Sequence, residues 1–114
     1  MDADQLRRAR NESLFREVNE RISELDDDGL AELAADYSQL VGFVCECPHQ
    51  DCAATIKVTR RQYEAVRANP RRFLVFPGHE DLDLARVVER HSEFFVVEKR
   101  DEAAEIAVEQ DPRS

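Results

Sequence analysis

The sequence predicts an α+β domain: an N-terminal helix followed by a small, mostly antiparallel four-stranded sheet with two short helices, in the order α-β-β-α-β-α-β. Three observations lead there. Apolar residues recur at helical spacing over residues 4–25. After residue 40 come four short runs rich in Val, Ile and Phe. Asn69-Pro70 and Pro77-Gly78 punctuate those runs and stop regular structure. At 114 residues the chain suits one core. Its pattern divides it into a helical segment (1–40), an α+β domain (41–110) and a frayed tail (111–114).

In the first helix, Phe15, Val18, Ile22 and Leu25 recur at intervals of three and four and are expected to face inwards, with Leu14 widening the stripe. Carried backwards, the register reaches Asn11 and Arg8, so the seam is shorter than a self-sufficient coiled coil. Two readings stay open. The helix docks on its own domain, or it pairs with a second copy to form a homodimer in which Asn11 sets the register. Asp26-Asp27-Asp28-Gly29 opposes the helix dipole and suits a C-terminal stop. Asp28 would then cap a second short helix through Leu30, Leu33 and Tyr37. The carboxylate run lacks the spacing of a calcium loop and reads as a solvated turn.

Val41–Cys47 and Ala54–Val58 read as a hairpin bent around the link from Pro48 to Cys52. Thr59 suits the N-cap of a helix from Arg60 to Ala68, with Tyr63 and Val66 inward. Arg72–Phe76 is the third strand. Asp81 or Asp83 would start a short helix using Leu84, Val87 and Val88, and Phe94–Val97 is the fourth strand. Glu102–Gln110 reads as a final helix or a loosely docked tail.

No run of 18 apolar residues exists to span a membrane as a helix. The acidic start, Met1-Asp2-Ala3-Asp4, does not read as a secretory signal, so the expected compartment is the reducing cytoplasm. Net charge is -9. Residues 1–38 and 79–114 each carry 11 acidic and 5 basic groups, whereas residues 39–78 carry 3 and 6. Most of the chain would therefore repel a nucleic acid. Lys57, Arg60, Arg61, Arg67, Arg71 and Arg72 form the one basic stretch that could face an anion. Arg60 and Glu64 at helical spacing favour a solvated face instead. Walker, Gly-x-Ser-x-Gly and His-Glu-x2-His motifs are all missing from the sequence.

The chemistry concentrates in Cys45-Glu46-Cys47-Pro48-His49-Gln50-Asp51-Cys52, which holds every cysteine of the chain. Three thiols cannot all pair as disulfides, and in a reducing compartment such a cluster points to metal. Cys45 and Cys47 are two apart on a strand and share a face, and Cys52 can return to that face after the turn. Zinc takes four thiolate or imidazole ligands in a tetrahedron. His79, freed to turn inwards by Gly78, is the favoured fourth ligand; His49, inside the link, is its rival. His91 reads as an exposed helix-end residue. Three thiolates and an imidazole close the site and make the zinc structural, with no catalytic residue implied. Lys57, Arg71 or Arg72 would offset the excess thiolate charge. Were His79 free, an open metal position with Glu80 as base would remain. His91-Ser92-Glu93 lacks the cysteines that complete a zinc deaminase signature. Three small buried cysteines with no metal, or a redox thiol site, are the plainer alternatives.

The chain also resembles a family of short uncharacterised actinobacterial proteins. The resemblance lies in Arg8–Glu12, Phe15–Ile22, Phe43–Cys47 with Cys52, Tyr63–Arg67, Arg72-Phe73, Pro77–Glu80, Val87–Arg90 and Val96–Lys99. It covers most of the chain apart from residues 26–40 and the ends. It implies that Cys45, Cys47, Cys52 and His79 belong to one constellation and that His49 does not, and it implies no activity. The expected function is a cytoplasmic zinc-binding domain with a structural Cys3His site, acting as a protein-interaction or regulatory module. The alternatives are a thiol- or metal-dependent sensor or enzyme, and a nucleic-acid-associated regulator using the central arginines.

Overall fold

The computed structural model of the chain describes residues 1–30 and 40–113, and of residues 25–30 the backbone alone. The elements are α1 (Ala3–Leu30), β1 (Leu40–Val44), β2 (Thr55–Thr59), α2 (Arg60–Arg67), β3 (Arg72–Val75), β4 (Ala85–Arg90), β5 (Phe95–Lys99) and α3 (Asp101–Glu109). The fold is α+β, as expected, and differs from expectation in order and strand count. The short helix foreseen after Asp81 is a turn followed by β4. A bulge between Val87 and Glu89 breaks the strand's alternation. Consecutive Val87 and Val88 are both half-buried there, and such a pair breaks the strand pattern and imitates a helix. The helix expected through Leu33 and Tyr37 lies outside the described residues, and α1 itself runs past Asp26–Gly29 to Leu30.

Among the described residues the strands form two sheets in place of one. β1 and β2 make an antiparallel hairpin, and β3, β5 and β4 make an antiparallel sheet in the order β3-β5-β4. β2 alternates as the sequence suggests, burying Ile56 and Val58. Thr59 caps α2 in a full capping box with Gln62, satisfying donors at both ends of the motif. The core joins both sheets: Phe43 stacks on Tyr63 at 4.2 Å, and Phe73, Leu74, Val75, Val96 and Val97 are buried around them.

The sequence misplaces the inward face of α1. Ala9, Glu12, Ser13, Arg16, Asn19 and Ser23 are buried, while Leu14 (58% exposed) and Val18 (41%) face outwards. Phe15 and Ile22 are half-buried, and Ile22 packs on the core. Position 25 lies among the residues described by backbone alone. A polar face can be buried because most of its groups find partners. Arg16 donates to the Pro70 carbonyl (2.7 Å) and the Ala107 carbonyl (2.6 Å), and lies 4.4 Å above the Phe73 ring. Ala107 is in the last turn of α3, where a cation also complements the helix dipole. Glu12 pairs with buried Lys99. Asn11, expected in a helix-pairing seam, donates to the Pro48 carbonyl at 3.2 Å. Helix α1 is therefore docked on its own domain. The tail expected to fray is held at Asp111, which is buried against Arg67, and at Arg113, which reaches Glu20 and Glu64.

Candidate metal centre

The hairpin carries the cysteines out of β1 on an extended segment. The Cys45 amide bonds the Ala54 carbonyl (3.1 Å) and keeps the two arms together, and the Cys52 amide bonds the His49 carbonyl (3.0 Å) and closes the link. From the other sheet, β3 ends at Pro77-Gly78. Gly78 sits at φ +94°, a left-handed conformation that few other residues adopt, and the His79 amide turns back onto the Phe76 carbonyl at 2.9 Å. Glu80 accepts from the Gly78 amide and steadies the turn.

These two loops bring Cys45, Cys47, Cys52 and His79 together, with one ligand atom from each lying within 4.8 Å of the others. His79 Nδ1 is 3.7 Å from Cys45 Sγ and 3.5 Å from Cys52 Sγ. Cys45 and Cys47 are buried, whereas Cys52 and His79 are half-buried. The thiols are free of disulfides. His49 is exposed and stands outside the cluster, its ring 6.2 Å from that of His79. His91 lies between β4 and β5, paired with Glu89 and stacked on Phe94, rather than at a helix end. The arrangement could hold a metal ion.

One sulfur also receives a backbone amide: Phe76 donates to Cys45 Sγ at 3.1 Å. The side-chain cations expected to balance the thiolates are elsewhere. Arg72 pairs with Glu98 and Glu89, Arg71 lines a groove beside α3, and Lys57 lies on the exposed face of β2. The Cys47 thiol falls to about 5, chiefly because Cys45 donates to it, while that same bond, followed by burial, pushes Cys45 up. Burial pushes Cys52 up. A divalent cation bound here would displace the remaining thiol protons.

Glu46, between two of the cysteines, is the residue that sequence reasoning missed. Strand alternation turns it away from the sulfurs into the core, where it is fully buried. Its Oε1 accepts from the Leu74 amide (2.8 Å), and its Oε2 accepts from Asn19 Nδ2 (2.8 Å) and the Tyr63 hydroxyl (2.7 Å). Its own amide donates to the Leu74 carbonyl at 2.8 Å. A side chain thus replaces one rung of a backbone ladder, and the two sheets meet without merging. The available signal was a carboxylate on the strand face opposite two ligands. Of the central arginines, Arg67 is buried between Asp111 and Glu20, and Arg72 is held by Glu89 and Glu98.

Among the described residues, no helix is long and apolar enough to cross a membrane. No family model, curated protein or solved structure matches the chain.

Proposed function

We propose that the chain is a small zinc-stabilised domain of the reducing cytoplasm that acts by binding another protein. The observation that carries this reading is the spacing of His79 Nδ1 from two sulfurs, 3.5 and 3.7 Å. A tetrahedral zinc with Zn–S of about 2.3 Å and Zn–N of about 2.0–2.1 Å has S···N edges of about 3.6 Å. Three thiolates and one imidazole fill the tetrahedron, leave no position for water and make the ion structural. The zinc would tie the hairpin to the loop that carries His79, adding metal ligation to the shared core and the Glu46 bonds. The partner-binding role draws on the apolar residues Leu14 and Val18 of α1, which are exposed among the described residues.

Native mass spectrometry of protein expressed in zinc-supplemented medium tests the metal. The expected result is one zinc per chain, with a loss of thermal stability on chelation. Protein that purifies metal-free and unfolds at the same temperature with and without zinc would remove the structural-zinc reading and leave the thiol-sensor alternative, to which half-exposed Cys52 is suited.

A further inference from the structure

Four segments of the chain meet on one carboxylate. Glu46 takes hydrogen bonds from α1, α2 and β3, and it lies in the cysteine segment itself. Every partner atom is a donor, which a carboxylate can satisfy and a carboxamide cannot. Asn19 has no freedom to adapt, because its amide group is fixed at both ends by Val44. Its Nδ2 donates to the Val44 carbonyl and its Oδ1 accepts from the Val44 amide, each at 2.8 Å. A second amide of the same helix, that of Asn11, holds the Pro48 carbonyl just past Cys47. Helix α1 therefore grips the cysteine segment on both sides of Cys45 and Cys47. The grip is made of directional hydrogen bonds, which are lost over small displacements, rather than tolerant apolar contact. On the other side, Glu46 fixes the same segment to Leu74, two residues before the amide that bonds Cys45 Sγ.

We propose that Glu46 is a positioning residue of the metal centre and that, through Glu46 and Asn19, metal binding is coupled to the docking of α1. This rests on the reading of Cys45, Cys47, Cys52 and His79 as metal ligands. The carboxylate sets the distance between the cysteine segment and the strand that delivers His79. Linkage makes the coupling reciprocal: whatever loosens α1 weakens metal binding, and loss of metal loosens α1 by the same factor.

The test uses the full chain, with zinc affinity measured by competition against a chromophoric chelator and with Co2+ as a spectroscopic probe. Glu46→Gln preserves shape but sets an amide N–H against a donor. It should weaken zinc binding by about 10–100-fold, the range found for groups that orient ligands, and should shift the thiolate-to-cobalt bands of the loaded protein. A role in stability alone would leave those bands in place. Tyr63→Phe removes a single donor and should give a smaller loss in the same direction; it decides the matter if Glu46→Gln does not fold. In hydrogen exchange, the amides of α1 from Asn11 to Asn19 should lose protection when zinc is removed from the wild type. Unchanged affinity and bands in the variants, or α1 protection indifferent to zinc, would overturn the coupling and leave the metal centre standing. Wild-type protein that binds neither zinc nor cobalt would overturn both.

Discussion

Arg67 Nη2 lies 2.5 Å from Asp111 Oδ1, with side chains 0% and 7% exposed, so the last turn of α2 is bonded to the chain just beyond α3. Removing Asp111 leaves buried Arg67 with Glu20, 3.3 Å away, as a remaining carboxylate, and loses a charge-assisted hydrogen bond. Asp111→Ala should cost about 2 kcal/mol in urea unfolding. A loss below about 0.5 kcal/mol for Asp111→Ala, the size of an ordinary surface change, would show that the C-terminal residues are not part of the folded unit.

The proposed metal site separates the two histidines His49 and His79. His79→Ala should lower zinc affinity by more than the about 10–100-fold typical of residues outside the ligand set. His49→Ala should leave it unchanged, since that ring is exposed and outside the cluster. Chelator competition on both variants checks the assignment, and the reverse pattern would hand the fourth position to His49.

The inverted face of α1 makes a simple comparison. Val18→Glu changes an outward residue and should alter stability by no more than about 0.5 kcal/mol. Asn19→Ala, one position away, removes a buried amide that serves Val44 and Glu46, and should cost about 3 kcal/mol. Equal effects in denaturant melts would mean that the helix docks on its apolar stripe after all.

Glu12 supplies a pH dependence. Burial raises its carboxyl from 4.5 to about 7, against the pull of Lys99. A carboxyl raised in the folded state holds its proton more tightly there than in the unfolded chain. Its contribution to stability is therefore complete below about 4.5 and is lost as the pH rises to about 7. Glu12→Gln abolishes that loss. Urea midpoints at about pH 5 and about pH 7.5, in the same metal state, should shift in favour of the variant at the higher pH. A constant difference would show Glu12 ionised throughout.

Much of the local structure was legible in the sequence. Thr59 and Gln62 announced the start of α2, alternation in Thr55–Thr59 announced β2, and Pro77-Gly78 announced the end of β3. The convergence of Cys45, Cys47 and Cys52 was also legible, because one strand and one turn bring them together. Two errors have physical causes. The bulge in β4 disguised a strand as a helix. In α1, hydrophobic spacing does not mark the buried face, because hydrogen bonds from Arg16 and Asn19 do the docking.

By itself, then, the sequence determined the class of the fold, the turns and caps, and a three-thiol cluster in want of a partner, all properties set by neighbours along the chain. The sequence also favoured His79 over His49, and the structure sets His79 beside the thiols; tertiary structure alone decided that α1 buries Arg16 and Asn19 in place of Val18, and that Glu46 ends in the core. Each of these depends on groups far apart in sequence. A buried polar atom is tolerated only where a distant donor or acceptor meets it within about 3 Å, and spacing along the chain carries no record of that meeting.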